Sequence, residues 1–400
     1  MTASTVSDDT STAAGQTELQ SIDAVAMGRA LNLAARGVAL TTPNPMVGAV
    51  LVRDGKTVGE GFHTYEGLRH AEVIALEAAG TEAARGATLY INLEPCCHTG
   101  RTGPCTQALI AAGVTRVVAA MTDPDSRVAG RGFTELRAAG IEVSTGPREA
   151  EARRLNEAFG KWTVSREPLV TLKSALTLDG QLVLPHQGKR ARPSPQSRKD
   201  RWISSPESRA QVQQMRHASD ALLTGIGTVL GDDPLLTDRT GLPRRRKLLR
   251  IVMDSRLRLP VRSKLVGSAD HDVLVFTRAR EDSPKARALR RAGVEVVRIG
   301  GQGTRPDLRA VIAELGRREI LSVLLEAGGI LNSAAIAAGI VDKMRVFFAP
   351  KVAGFAGKKK AAASPSNGFR AARELQNVTM TQFGPDFAVE GYFHDVYRTR

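Results

Sequence analysis

The chain has 400 residues, 42% hydrophobic and 24% charged, and its 56 Lys and Arg against 41 Asp and Glu give a net charge of +15. That length favours two cores over one, and no run approaches the roughly eighteen consecutive apolar residues that a membrane span requires. Residues 1–150 hold 12 basic against 16 acidic side chains and the remainder 44 against 25, so the basic character belongs to the second part, where short positive runs and 4% aromatic content speak against nucleic acid and for small phosphorylated ligands.

Residues 1–20 are polar and lack both the basic start and the apolar centre of a signal peptide, and are expected to form a disordered tail. From 21 to 147 helices and strands alternate. A helix over AVAMGRALNLAARG is followed by strands over MVGAVLV and KTVGEGFH and a helix over AEVIALEAAG. Then come a strand over ATLYINLE, a helix over TQALIAAG, a strand over VTRVVAAM, a helix over RGFTELRAAG and a strand over IEVST. Alternation of this kind implies a layered α/β domain. Residues 148–168 read as a charged helical connector. A second α/β series fills 169–400, with strands or strand-helix units over PLVTLKSALTLDG, DALLTGIGTVL, LLRIVMDS, DVLVFT, VEVVRIG, ILSVLLEAGG, KMRVFFAPKV and the terminal EGYFHDVY. The segment PHQGKRARPSPQSRKDR at 185–201 is poor in apolar residues and is expected to be a mobile loop.

All three cysteines, Cys96, Cys97 and Cys105, lie in LEPCCHTGRTGPC at 93–105. An odd number with two adjacent makes a poor disulfide framework, so a thiol site in a reducing, cytoplasmic setting is expected. Zinc favours thiolate and imidazole, and a catalytic zinc takes three protein ligands. His70, Cys96 and Cys105 supply them. His70-Ala71-Glu72 followed by Pro95-Cys96 matches the zinc base-deaminase signature, in which the glutamate shuttles protons and is not a ligand. The second half departs from it, because eight residues instead of two separate Cys96 from Cys105. Cys97 points away from Cys96 on extended backbone and is a poor substitute. A structural zinc with His98 as a fourth ligand stays open on the residues alone. So do a nucleic-acid deaminase and a deaminase joined to a degenerate, non-reducing domain.

Several stretches carry a resemblance in both halves: TPNPMVGAVLV, HAEVIALEAAG, LEPCCHTGRTGPC and DPDSRVAGRG, then VTLKSALTLDG, WISSPESR, DALLTGIGTVLGDDPLLT, MDSRLR, LLEAGGILN and AGIVDKMRVFFAPKVAG. Over about residues 22–395 the chain resembles the bifunctional deaminase-reductases of riboflavin biosynthesis, whose long cysteine spacing explains the departure. The resemblance implies a cytidine-deaminase-like three-layer α/β/α domain followed by a dihydrofolate-reductase-like α/β domain. It implies zinc at His70, Cys96 and Cys105 with Glu72 as proton shuttle, and Asn44 and His63 lining the pocket of a phosphorylated pyrimidine. In the second half it implies NADPH at Ala175, Trp202, Thr228, Asp232, Ser255, Gly328 and Gly329. Asp200, Arg216, Leu236, Arg239 and Glu326 fall where the phosphorylated substrate is held. Asp200 stands where the family pattern has serine, and the neighbouring Arg198, Lys199 and Arg201 offset its charge. Neither nucleic acid nor membrane is expected as a partner, and a homo-oligomer is compatible with the sequence.

Overall fold

A computed structural model describes residues 9–99, 103–182, 202–301, 303–354 and 373–398. The chain divides into two compact units, Met1–Val164 and Ser165–Arg400. Residues 1–8 of the expected tail and the expected loop at 185–201 lie outside the described residues.

The first unit is built from α1 (Asp9–Ala35), β1 (Gly48–Arg53), β2 (Lys56–Phe62), α2 (Ala71–Ala84), β3 (Thr88–Ile91), α3 (Cys105–Ala111), β4 (Arg116–Ala119), α4 (Arg131–Ala138), β5 (Glu142–Thr145), α5 (Glu149–Leu155) and α6 (Glu157–Ser165). Its sheet runs β2-β1-β3-β4-β5, antiparallel at β2-β1-β3 and parallel from β3 to β5. Alternation along β1 sorts the helices into two layers. Ala49 and Leu51, opposite Ile91 and Leu89, join Ala71 and Ala75 of α2 in one apolar cluster. The intervening Val50 faces the other way with its partner Tyr90, whose hydroxyl donates to Asp23 of α1 at 2.9 Å. Helices cover both faces, giving the three-layer arrangement.

Two elements differ from the sequence reading. Helix α1 begins at Asp9, inside the stretch expected to be disordered. The expected connector contains two helices, α5 and α6, broken at Asn156.

Asp23 also holds Arg116 of β4 bidentately, at 2.8 and 2.7 Å, with both side chains mostly buried. Burial opposes ionisation of Asp23, but hydrogen bonds from Arg116 and Tyr90 and the Arg116 charge prevail and lower its pKa. Asp23→Ala strands the guanidinium and is expected to cost about 2–3 kcal/mol of unfolding free energy. A depressed folded-state pKa gives stability that is present above the unfolded value and lost as the pH falls through the folded one. Denaturant titrations should therefore show the gap between variant and parent closing below about pH 4.

The second unit contains β6 (Leu169–Thr177), α7 (Pro206–His217), β7 (Ala221–Gly225), α8 (Ile226–Asp232), β8 (Leu249–Met253), α9 (Lys264–Gly267), β9 (Val273–Thr277) and α10 (Pro284–Arg291). There follow β10 (Val294–Arg298), α11 (Leu308–Arg317), β11 (Ser322–Leu325), α12 (Gly329–Ala337), β12 (Lys343–Ala349), β13 (Gln376–Phe383) and β14 (Asp386–Tyr392). They form a nine-stranded sheet, β10-β9-β8-β7-β11-β6-β12-β14-β13, parallel from β10 to β12 and antiparallel beyond. Its parallel strands are apolar on both faces, Leu223, Ile251 and Leu274 contributing to one core and Leu222, Val252 and Val275 to the other. The sequence reading gave no strand over β13 and placed the last one at 390–397. The edge strand β13 is mostly exposed, so it lacks the alternation that marks a half-buried strand.

Candidate functional site

In the first unit, α2 can lie close against the sheet because Gly59 and Gly61 face it. A Cβ at Gly59 would stand 2.1 Å from Ala75 O, and one at Gly61 2.3 Å from Ala71 O. This seats the start of α2, with His70 as its extended N-cap residue and Glu72 in its first turn, 3% exposed. Pro95 and Cys96 follow β3, and Cys105 opens α3. Glu94, buried beside them, accepts from the amides of Asp123, Gly130 and Gly132 at 2.9–3.1 Å and so ties the Pro95-Cys96 segment to the 123–132 loop.

His70 Nδ1 lies 3.1 Å from Cys105 Sγ and 3.4 Å from Cys96 Sγ, and the three donor atoms fall within 4.8 Å of one another. Two sulfurs and an imidazole nitrogen at this spacing fit zinc with a position left for a reactant. His98 is exposed and is not in the group, and neither is Cys97. The hydrogen bond with Cys105 holds the Cys96 thiol down to about 4 against its burial, and the same bond together with burial pushes Cys105 up. Burial and then the Cys96 charge raise the Glu72 pKa, with His70 opposing.

A hydrogen-bond relay joins Arg69, His63 and Asn44. His63 Nδ1 donates to Arg69 O at 2.9 Å, which fixes Nε2 as an acceptor for Asn44 Nδ2 at 3.0 Å. Burial keeps the His63 pKa low, so the ring is neutral. Asn44 and His63, read separately from the sequence, are one hydrogen-bonded pair.

In the second unit the candidate residues gather at the carboxyl ends of adjacent parallel strands, where ligands of open α/β sheets bind. Thr228 and Asp232 lie on α8 after β7, Ser255 follows β8, and Gly328 and Gly329 follow β11. Ala175 lies near the end of β6, and Trp202 is 51% exposed with the Arg209 guanidinium 4.9 Å from its ring centroid. Helix α12 has no side-chain cap, and a Cβ at Gly328 would meet only open space, so an anionic group can approach the backbone there. The residues present fit a dinucleotide.

Arg216 pairs with Glu326 through two bonds of 2.7 and 3.0 Å and donates to Thr237 O at 3.0 Å. Arg216 and Glu326, both expected on the side of the phosphorylated substrate, thus form one ion pair. Glu326 resists burial through those bonds and the charges of Arg216, Lys173 and Arg239, and its pKa is lowered. Arg239 is exposed, and Leu236 is buried with φ 58°. Asp200 lies outside the described residues. Lys173 was missed in the sequence. It shares a strand face with Ala175, two residues on, and its Nζ lies 5.9 Å from the Phe347 ring centroid. Burial, with Arg216 adding repulsion and Glu326 attraction, lowers its pKa.

Residues 20–121 match the cytidine and deoxycytidylate deaminase zinc-binding region, and residues 168–389 match the RibD C-terminal domain. The riboflavin biosynthesis protein RibD of Escherichia coli is 43% identical over 342 residues, 82% of this chain and 88% of that one. The chain belongs to the RibD family. Of solved RibD structures, that from Acinetobacter baumannii is 34% identical with a TM-score of 0.74, covering 93% of this chain and 99% of that one. A Thermotoga maritima structure described as a diaminohydroxyphosphoribosylaminopyrimidine deaminase/5-amino-6-(5-phosphoribosylamino)uracil reductase is 31% identical with a TM-score of 0.76, with the same coverage. As a RibD, the chain is a bifunctional enzyme of riboflavin biosynthesis, a zinc-dependent deaminase joined to an NADPH-dependent reductase. Among the described residues no helix is long and apolar enough to cross a membrane.

Proposed function

We propose that the first unit deaminates a diaminohydroxypyrimidine bearing a phosphoribosylamino group, and that the second reduces the ribosyl group of the product to a ribityl chain. The observation that carries the first step is a buried carboxyl, Glu72, beside a three-donor set that leaves room for a reactant. His70, Cys96 and Cys105 would hold zinc, which would supply the Lewis acidity that makes water a nucleophile near neutral pH. Glu72 takes one proton from the attacking water and gives it to the ring nitrogen, then carries the proton of the hydroxyl now on carbon to the amine, so the C–N bond breaks, ammonia leaves and a carbonyl remains. Asn44, held by neutral His63, orients the pyrimidine.

In the second unit, NADPH supplies the hydride. The uncapped α12 start at Gly328 and Gly329 would hold its anionic groups, and Ala175, Trp202, Thr228, Asp232 and Ser255 would contribute the other contacts. Arg239, an exposed cation beside Glu326, holds the substrate phosphate with Arg216 and Leu236, and Asp200 is assigned to the same substrate by family resemblance alone. Lys173, a cation on the Ala175 face of β6, donates the proton that the reduced sugar oxygen takes up. Three free thiols suit a reducing cytoplasmic compartment.

The direct test incubates the protein with the aminopyrimidine substrate, with and without NADPH, following ammonia and cofactor absorbance separately. Ammonia release without NADPH, and NADPH oxidation only after it, is the expected pattern. Metal analysis should find about one zinc per chain. Cys105→Ser should empty the site and Cys97→Ser should not, and full zinc in the Cys105 variant would overturn the ligand assignment.

A further inference from the structure

We propose that Asn156, at the break between α5 and α6, is a positioning residue of the deaminase site. The two ends of its side-chain amide grip one residue 110 positions earlier in the chain. Met46 N donates to Oδ1 at 2.8 Å, and Nδ2 donates to Met46 O at 2.9 Å. This reproduces with a side chain the two-bond exchange of antiparallel strand partners. A second buried amide works alongside: Asn92 Nδ2 donates to Met46 O at 2.9 Å, and its Oδ1 accepts from Gly48 N at 2.8 Å. Asn156 is 1% exposed and Asn92 is fully buried.

The gripped segment is the one that carries Asn44. Residues 43–47 are neither helix nor strand, so they have no ladder of their own to set their path. Asn44 stands two residues before Met46, and its amide must meet His63 Nε2 at 3.0 Å to face the pocket. His63 N in turn donates to Val47 O at 2.9 Å. A shift of the Met46 peptide therefore moves both members of the Asn44–His63 pair relative to the metal ligands, which lie at the start of α2, after β3 and at the start of α3. Asn156 lies outside both matched family regions, 20–121 and 168–389. The helices α5 and α6 thus belong to the deaminase as working parts. The inference rests on the reading of Asn44 as substrate-binding.

The test uses the full chain with its zinc, in three variants: Asn156→Ala, Asn156→Asp and Asn44→Ala. Both Asn156 variants should keep their zinc and reduce the deaminated intermediate at the parental rate. Their deaminase KM should rise on the order of tenfold to a hundredfold, as a displaced orienting group requires. Asn156→Asp adds a readout that general scaffold damage does not predict. Its carboxylate sets an acceptor against Met46 O, while the protonated carboxyl restores one donor and one acceptor in the same shape. The ratio of its kcat/KM to the parent's should climb as the pH is lowered from about 8 to about 6, a carboxyl facing an acceptor having a raised pKa, and the ratio for Asn156→Ala should stay flat. Parental KM in both Asn156 variants overturns the proposal. So does parallel loss of zinc, deamination and reduction in Asn156→Ala, which would make the residue a scaffold element only. Parental KM in Asn44→Ala removes the reading on which the proposal rests, whatever the Asn156 variants do.

Discussion

Glu72→Gln is expected to keep its zinc and its fold and to release ammonia on the order of a hundred to ten thousand times more slowly than the parent. Glutamine has nearly the same shape, so packing at this 3% exposed site is preserved. What it lacks is the ability to hold a proton. Each transfer in the deamination passes through one carboxyl, from water to ring nitrogen and from water to amine, and an amide performs none of them. An amide of the same shape brings no charge into this buried position, so thermal unfolding should stay near the parental value. A slower enzyme that is no less stable, with about one zinc per chain, separates a shuttle from a ligand. Near-parental ammonia release would show that another base does the work. Loss of zinc would make Glu72 a ligand.

Which parts of this site could be read from the sequence follows from where their information lies. Zinc demands particular side chains, and a chain whose three cysteines all fall within residues 96–105 narrows the candidate donors by composition, two of which the structure brings together with His70. Glu72 comes with His70 because both sit in one helical turn. The Asn44–His63 pair was half legible: each residue was singled out, but their bond, and the Arg69 carbonyl that fixes the imidazole tautomer, depend on a fold that brings 44, 63 and 69 together. Asn156 was hidden more deeply. Its neighbours are charged and helix-forming, so local pattern marks a connector, while its two hydrogen bonds reach Met46 across 110 residues. In the second unit the strand-helix periodicity marked an α/β series, while the strand order and the parallel pairing from β10 to β12 depend on long-range contacts that periodicity does not encode. Arg216 and Glu326 were each legible by type, but their ion pair depends on a fold that brings the end of α7 to the residue following β11. Lys173 did leave a signal, a lone cation on the inward alternation of an apolar strand, and that signal was absorbed into the strand itself.

Lys173→Met should lower reduction of the deaminated intermediate by on the order of a hundredfold or more while leaving NADPH affinity and the deaminase near parental values. Hydride delivery to a sugar carbon leaves an oxygen that must gain a proton, and Lys173 is the cation on the strand face shared with Ala175. Burial lowers its pKa, with Arg216 repelling the charged form and Glu326 favouring it, so it parts with a proton more readily than an ordinary lysine. The sign of the pH dependence follows. The donor must be protonated, so the parental reductase rate should fall as the pH rises through this lowered value, below the usual lysine range. Lys173→Arg keeps the positive charge but not the acidity. It should restore substrate affinity without restoring turnover, and the alkaline fall should disappear with it. Stability should move the opposite way from rate. A cation in the crevice is disfavoured by burial, and Glu326 retains its two bonds from Arg216 when Lys173 is replaced, so no carboxylate is left unpaired. The methionine variant should therefore melt at or above the parental temperature. A reductase rate unchanged in Lys173→Met, or an alkaline fall that persists in Lys173→Arg, would assign the proton to another group.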